Sequence, residues 1–335
     1  MRKPVLLAAC LALAACQTTA PDARPDAGAE APPVSTAETR PPVTLDLPGT
    51  GTLGEAVLKL SEEVGGSLVL MSGTENRALG PMKFSETPFE DVVAQLAEHT
   101  GYKVQECPNY FFIYPEGYEA LLDISLGDRL DPAFRDVAVP MAFGHQTPLY
   151  EAFALLSDAR DTAIVAGNVV ADAVCGPMTL AEIPLQDGLE AILKSARVEP
   201  AALKVDSTAD YIFLYSVENT VPADTRIGTP SAEGGVDLEA RVDVVLPAPP
   251  EDPGRLRLPP GALPLRRVLG ALSQQLGVKV VAEKGLGQLP VNPCVFRGVK
   301  RSTAMDLLIR QWPVPEFGYG IEGNRIVIRR RPKAP

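Results

Sequence analysis

The stretch Leu53-Gly54-Glu55-Ala56-Val57-Leu58-Lys59-Leu60-Ser61 decides the fold, because its pattern of apolar residues and a final serine occurs three times in the chain. The spacing of the apolar residues is that of one helix face. The second and third occurrences begin at Leu149 and Leu265, at offsets of 96 and 212 residues. The repeated positions are Leu53, Val57, Leu60 and Ser61; Leu149, Phe153, Leu156 and Ser157; and Leu265, Leu269, Leu272 and Ser273.

A second group of apolar positions keeps the same two offsets. The group contains part of a strand and part of a second helix. It comprises Met82, Phe84, Val93, Leu96 and Ala97 in the first copy, Met178, Leu180, Leu189, Ile192 and Leu193 in the second, and Cys294, Phe296, Met305, Leu308 and Ile309 in the third. Because two separate patterns share one register, the sequence predicts one module that is written three times.

The first copy shows the element order of this module. The alternating residues 43–47 predict a strand, the helix that begins at Leu53 ends at Gly65-Gly66, and Thr87-Pro88 opens a second helix. Two helices with one apolar stripe each need sheets to cover them. We therefore predict the fold class α+β, with three tandem small βαββαββ modules whose two helices pack on short sheets. A lipidated, disordered tether precedes them.

The predicted modules span residues 43–118, 134–218 and 255–331, and a proline-rich linker occupies residues 219–254. Six apolar residues within the linker alternate with mostly charged ones, and this alternation predicts a strand with one solvent-facing side. The strand either extends the sheet of the third module or forms an edge that is offered to a partner. The alternating residues are Val236, Leu238, Ala240, Val242, Val244 and Leu246.

The last strand of the first module carries bulky aromatic residues on both of its faces. One face of this strand packs in the core of its own module, and the other face would be exposed to solvent unless something else covers it. Two interpretations remain open: the second module covers this face, or the face binds a partner protein. The candidate partner surface consists of Tyr110, Phe112, Tyr114 and Tyr118.

The N-terminus has the layout of a secretory signal, with a basic start and an apolar run over residues 5–15 that is too short to span a bilayer. Leu13-Ala14-Ala15-Cys16 resembles the bacterial lipoprotein processing site, which implies a signal peptide over 1–15 and acylation of Cys16. The same four letters end at Cys10, but the apolar run before it is too short. An ordinary signal peptide is the alternative.

Residues 16–42 are rich in proline and alanine without apolar periodicity, which predicts an extended tether. Several acyl chains on one residue would hold the protein on a membrane durably. The lipoprotein resemblance, with Gln17 after the cysteine, implies the outer membrane as its destination. We therefore expect a lipid-anchored protein that faces the periplasm.

Composition excludes some classes of protein. The 335 residues contain 31 Lys and Arg against 42 Asp and Glu, so the formal net charge is −11, which argues against nucleic acid as a partner. Once Cys10 is removed and Cys16 is acylated, Cys107, Cys175 and Cys294 remain, and their spacing is not that of a zinc site. A Cys107–Cys175 disulfide is left open.

The sequence carries no recognisable catalytic pattern: it has no G-x-S-x-G, phosphate-binding loop, H-E-x-x-H or dinucleotide fingerprint. The recurring serines Ser61, Ser157 and Ser273 have no recurring base beside them, and His99 and His145 are predicted as helix-end and loop residues. The carboxylates near Glu62 and Glu86 match no calcium loop. We predict a protein that is not an enzyme, with no catalytic residues, no cofactor and no metal.

The packing pattern itself resembles a known family, the short N-terminal domain shared by secretins and TonB-dependent receptors. The matching positions in the first copy are Leu45-Asp46-Leu47-Pro48, Leu53, Ala56-Val57, Leu60, Val64-Gly65, Met82-Lys83-Phe84, Val92-Val93, Leu96-Ala97, Thr100-Gly101 and Phe112-Ile113-Tyr114-Pro115. The third copy is similar from Leu256-Arg257-Leu258-Pro259 onward, whereas the second has Asp161 in place of a glycine.

This resemblance implies a role in binding other envelope proteins. The expected partners are a secretin or another component of a type IV pilus or type II-like secretion machine, and the protein would be their scaffold or accessory lipoprotein. The alternative is a periplasmic module that relays the state of a TonB-dependent receptor to a sigma-factor regulator.

Overall fold

The computed structural model describes residues 41–135, 137–228, 235–247, 256 and 258–332. Cys16, the predicted signal peptide and nearly all of the predicted tether lie outside the described residues. The described residues belong to one compact unit, Arg40–Pro335, of mixed α and β structure. No helix among them is long and apolar enough to cross a membrane.

The first part of this unit, residues 43–114 (segment 1), contains two helices and five strands. Strand β1 pairs with β3, whereas β2 pairs in parallel with β5 and β5 pairs antiparallel with β4. Thr52 closes a capping box at the start of the first helix, and Gly65 ends that helix at φ 73°. The elements are β1 (Val43–Leu47), α1 (Leu53–Val64), β2 (Leu68–Leu70), β3 (Met82–Thr87), α2 (Phe89–Thr100), β4 (Lys103–Glu106) and β5 (Phe111–Tyr114).

Residues 138–216 (segment 2) and 241–330 (segment 3) follow the same order with short additional elements. Segment 2 contains β6 (Ala138–Phe143), β7 (Thr147–Pro148), α3 (Leu149–Ala159), β8 (Ala163–Ala166), α4 (Asn168–Ala171), β9 (Val174–Cys175), β10 (Met178–Pro184), α5 (Leu185–Ser195), β11 (Leu203–Thr208) and β12 (Tyr211–Ser216). Segment 3 contains β13 (Arg241–Leu246), β14 (Leu263–Pro264), α6 (Leu265–Leu276), β15 (Lys279–Ala282), β16 (Pro290–Val291), β17 (Cys294–Lys300), α7 (Arg301–Arg310), β18 (Phe317–Glu322) and β19 (Arg325–Arg330).

Strand pairing recurs at the offsets read from the sequence. A short β-bridge joins the residue before the first helix to a residue four positions before the strand that leads into the second helix, as Thr52 to Ala78, Pro148 to Val174, and Pro264 to Pro290. The register of the first pair of strands also shifts at one place in each segment: between 84 and 87, 180 and 183, and 296 and 299. Both features repeat at offsets of 96 and 212 residues.

The alternating stretch in the predicted linker is a strand of the third segment. β13 pairs antiparallel with β17, as β1 pairs with β3 and β6 with β10. The interpretation that this strand extends the sheet of the third module is therefore confirmed for Arg241–Leu246. The first paired strand of segment 3 begins at Arg241, ahead of the boundary predicted at 255, and Leu256 and Leu258 lie outside any strand.

The departure at Asp161 leaves the backbone conformation unchanged. Gly65 and Gly277 lie just after their helices at φ 73° and 64°, and Asp161 takes φ 48° at the equivalent place. Aspartate adopts this left-handed conformation at lower cost than most side chains. The helix therefore turns into the next strand in the same way in all three segments.

Sheets link segment 1 to segment 2. β10 pairs antiparallel with β2, which joins five strands in the order β4-β5-β2-β10-β6. β2 and β5 are buried on both faces: one face contributes to the core with α1 and α2, and the other to a core shared with segment 2. The corresponding strand of segment 2, β12, is likewise shared between its own core and that of segment 3.

Candidate functional site

The aromatic strand predicted as a partner surface lies inside the molecule. Tyr110, Phe112 and Tyr114 are 2%, 0% and 4% exposed, in a core that includes residues of segment 2. Covering by the second module is therefore the correct interpretation, and the partner surface is wrong for these three residues. Only Tyr118 of the predicted set is exposed, at 36%.

The contact between segments 1 and 2 (joint 1–2) has a hydrogen-bonded edge at the end of helix α5. The Ser72 N–H donates to the carbonyl of Ser195 at 2.8 Å, and the Gly176 N–H donates to its Oγ at 2.8 Å. The same hydroxyl donates to the Leu70 carbonyl at 2.5 Å. Ser195 thus connects the edge of segment 1 to two parts of segment 2.

A cation reaches the aromatic face of joint 1–2. The Lys194 Nζ lies 3.2 Å from the Tyr110 hydroxyl and 3.6 Å from Glu190 Oε2, and both charged side chains are nearly buried. Glu190 also accepts the Leu126 N–H at 2.8 Å. Burial raises the pKa of the Tyr110 hydroxyl far above its ordinary value, so this group stays protonated.

The contact between segments 2 and 3 (joint 2–3) repeats the hydrogen bonds of joint 1–2. The Asn168 N–H donates to the Gln311 carbonyl at 2.8 Å, and the Asn292 N–H donates to Gln311 Oε1 at 3.0 Å. Asn168, Asn292 and Gln311 occupy the positions of Ser72, Gly176 and Ser195, shifted by 96, 116 and 116 residues. The residue at the end of the second helix thus makes the same two hydrogen bonds in both joints, with its carbonyl to the preceding segment and with its side chain to its own.

The face of joint 2–3 also contains a buried cation. The Arg310 guanidinium lies 4.3 Å from the centre of the Phe213 ring and 5.7 Å from that of Tyr215. Its Nη1 forms an ion pair with Asp206 Oδ2 at 2.7 Å, and its side chain is 4% exposed. Arg310 lies 116 residues after Lys194, so both joints place a cation from the same helix position on an aromatic strand.

Sequence reasoning missed these two cations, although a signal for them exists. β2 pairs with β5, and β8 with β12, so that Leu68 lies opposite Phe111 and Ile164 opposite Ile212. This register makes Tyr110, Phe112 and Tyr114 equivalent to Tyr211, Phe213 and Tyr215. The recurrence of three aromatic residues on one strand face indicates a surface that is covered in the same way in both places.

Two of the recurring serines connect a helix to the strand that follows it. Ser157 Oγ donates to the Phe153 carbonyl at 2.7 Å and accepts the Ile164 N–H at 2.8 Å. Ser273 Oγ makes the same pair of bonds, with Leu269 at 2.6 Å and Val280 at 2.9 Å. Ser61 Oγ is buried without a partner among the described residues. Hydrogen bonding near the helix end is thus the role of Ser157 and Ser273.

The cysteines are all free in the part of the chain that the structure describes, so the Cys107–Cys175 disulfide is not formed. Burial raises the pKa of the Cys175 and Cys294 thiols to about 12, so both stay protonated near neutral pH. Cys294 is a buried residue at the start of β17, as the repeat predicts. No group of three or more potential metal ligands occurs among the described residues.

The two histidines make local contacts. His145 lines a groove of about 420 Å³ between α1 and the β6–β7 turn, where its Nδ1 lies 2.9 Å from the Gln146 carbonyl. Glu75, one of two acidic side chains that line this groove, accepts from the Gln146 amide at 2.6 Å and from the Gly73 N–H at 2.8 Å. His99 Nε2 accepts the Gly80 N–H at 3.2 Å at the end of α2.

A half-buried carboxyl binds the chain between segments 2 and 3. Asp306 Oδ1 accepts from both the Thr225 N–H, at 2.8 Å, and the Thr225 hydroxyl, at 2.7 Å. Next to this contact, the Ile227 N–H donates to the Tyr319 carbonyl at 2.7 Å, so the segment around residue 226 lies along β18. Burial raises the pKa of Asp306 to about 6, against the smaller opposing effect of the Thr225 hydrogen bonds.

The pKa of Asp306 predicts a pH dependence of stability. Because the folded state holds this proton more tightly than the unfolded state, its contribution is complete below about pH 4 and is lost as the pH rises through 6. A shift of about two units corresponds to about 3 kcal/mol. We expect Asp306→Asn to flatten the dependence between pH 4 and 7 in urea unfolding, with Asp123→Asn as the exposed control. An unchanged pH dependence in Asp306→Asn would contradict this assignment.

No family model, curated protein or solved structure matches this chain. The functional argument therefore depends on the residues and contacts described above.

Proposed function

We propose that the protein is a membrane-anchored periplasmic scaffold or accessory lipoprotein built from three copies of one βαββαββ module of the secretin and TonB N-terminal type. It binds components of a secretin-type machine, such as a type IV pilus or a type II-like secretion system. Its action is binding without a catalytic step. Acylated Cys16 holds it at the outer membrane, and the tether over residues 16–42 keeps the folded part clear of the lipid surface.

One observation supports the scaffold most strongly: the same joint occurs twice. In both joints the residue at the end of the second helix, Ser195 or Gln311, accepts an N–H of the preceding segment with its carbonyl and an N–H of its own segment with its side chain. The neighbouring cation, Lys194 or Arg310, covers an aromatic strand. A module that carries this joint at both of its ends is suited to stacking on further modules of its own kind.

Purification after crosslinking in cells tests this function. We expect the full chain, tagged at its C-terminus, to recover secretin, pilus or secretion components well above an equally abundant outer-membrane lipoprotein with the same tag. Cys16→Ala should abolish palmitate labelling and lower this recovery severalfold, because the protein loses its place at the membrane. Cys10→Ala is the matched control and should retain both.

The alternative function has a different outcome in the same experiment. Recovery of a TonB-dependent receptor with a sigma-factor regulator, and of no machine component, would support the signalling module and contradict the scaffold. Palmitate labelling that persists in Cys16→Ala would contradict the proposed anchor.

A further inference from the structure

Each joint is formed by one surface of a segment and a different surface of the next segment. At the two ends of the three-segment array, one of these surfaces is left without its counterpart in the described part of the chain. In segment 3 the edge strand β15 pairs only with β19 among the described residues, whereas its equivalents β2 and β8 lie against the next segment. In segment 1, β3 pairs only with β1 in the described part of the chain, whereas β10 also pairs with the segment before it. Each end therefore has a surface that is used inside the chain but not at that end.

The side chains at the segment 3 end differ from those inside the chain. Val280 lies opposite Ile326, as Leu68 lies opposite Phe111, so the register makes Arg325, Val327 and Arg329 equivalent to Tyr110, Phe112 and Tyr114. Two arginines thus replace two tyrosines on the covered face.

These arginines give the segment 3 end a positive charge. Glu322 is paired with both of them, at 2.7 Å from Arg325 and 3.5 Å from Arg329, so one carboxylate faces two cations. Arg329 Nε is buried without an acceptor among the described residues. Lys284, at the position of Ser72 and Asn168, is exposed beside the same edge. Arg325, Arg329 and Lys284 outnumber the carboxylates Glu322 and Glu283 at this edge, so the end of the array is basic, and it holds an unused donor.

The segment 1 end carries the opposite charge at the matching place. The position of Lys194 and Arg310 is occupied by Glu98, which is exposed. The next residue, His99, binds the Gly80 N–H as Ser195 binds that of Gly176 and Gln311 that of Asn292. The local geometry of the joint is thus present at this end, while the charge of its key side chain is reversed.

We propose that the segment 1 end of one copy docks on the segment 3 end of a second copy, as a third joint of the same kind. In this joint the helix carries the acidic group and the strand carries the cations, so that Glu98 faces Arg325 and Arg329. The continuity with two existing joints and the charge complementarity both point to this occupant. Such a contact is head-to-tail and generates rings or open chains of copies.

Charge reversals on the purified full chain test this contact by sedimentation velocity. We expect the wild-type chain to associate with increasing concentration, and Glu98→Arg to weaken association about tenfold or more because it places like charges together. The double change Arg325→Glu and Arg329→Glu should do the same. Each of these two variants alone repels its own copies, but the mixture of both should associate, because the reversed pair and the original pair then each bring opposite charges together.

The triple variant with all three reversals should recover association, which a general loss of folding could not produce. Glu62→Arg and Arg330→Glu are the matched controls, since both residues are exposed and neither lies on the docking surfaces. A wild-type chain that stays monomeric up to about 100 µM, well above the working range of specific contacts, overturns the proposal. So does association that Glu98→Arg leaves unchanged. The contact depends on the equivalence of the segments and not on any envelope partner, so failure to recover such partners leaves it standing.

Discussion

Arg310→Ala is expected to lower the free energy of unfolding by about 3 kcal/mol, because it leaves the Asp206 carboxylate unpaired and the Phe213 ring uncovered. Removing one partner of a buried pair costs more than the pair contributes. The expected loss lies near the lower end of the range for such pairs because the Asp206 side chain is 29% exposed and keeps some access to water.

The lysine at the equivalent position of joint 1–2, Lys194, suggests a milder change at Arg310. Arg310→Lys keeps the charge but loses the planar group that stacks on the ring, and Lys194 makes a working contact at the same place in joint 1–2. We expect a loss of about 1 kcal/mol for this change, on the scale of a cation–π contact. Trp312 is buried two residues further along, so its fluorescence during urea unfolding reports on this joint.

Arg330→Ala is the control for these two variants, because Arg330 is exposed at the end of β19. If Arg310→Ala destabilised the protein no more than Arg330→Ala, the buried ion pair would contribute nothing to joint 2–3. If Arg310→Lys were as damaging as Arg310→Ala, the planar stacking and not the charge would carry the contact.

The positions of the recurring helices were readable from the sequence, because helices with one buried stripe retain their apolar positions at fixed offsets. Leu53, Leu149 and Leu265 are all fully buried, and the contacts that precede their helices keep the same spacing. Wherever the chain between elements had the same length, the offset also predicted strand register. The mixed α and β character followed from the same positions.

Where loops differ in length between segments, a fixed offset does not align the equivalent strands. In segment 3 the chain from Leu246 to Leu263 is longer than that from Leu47 to Thr52, so the first strand fell outside the offset of 212 and was assigned to a linker. The connection from the second helix to the next strand is five residues longer in segment 2, from Ile192 to Lys204 against Leu96 to Lys103, which moves the equivalent of Phe111 to Ile212. The recurring aromatic face, and with it the joints, could not be aligned until strand pairing was known.

The joints also depend on a choice that local sequence does not encode. A strand with large side chains on both faces is equally suited to a second module or to a partner. The residues that cover each strand lie far along the chain: Lys194 covers β5 and Arg310 covers β12, each about 80 to 100 positions away. Their role is visible only when the two segments are in contact.

Phe112→Ala should destabilise the protein by about 3 to 4 kcal/mol, the usual cost of emptying a large aromatic site in a core. Phe112 is fully buried in joint 1–2 and stacks on Tyr114 with ring centres 5.2 Å apart. The cavity would lie between two segments whose backbones are held together by the β2–β10 pairing and by Ser195, so little collapse can fill it.

The same strand position in segment 3 gives a matched control for this loss. Val327 is equivalent to Phe112 but has no following segment over it in the described part of the chain, so Val327→Ala should cost about 1 kcal/mol. Urea unfolding followed by circular dichroism would measure both variants, and Trp312 fluorescence would follow segment 3 separately. In an array whose stability is a sum of neighbouring contacts, Phe112→Ala shifts the first signal more than the second. Equal losses for Phe112→Ala and Val327→Ala would contradict the assignment of the aromatic strand to joint 1–2.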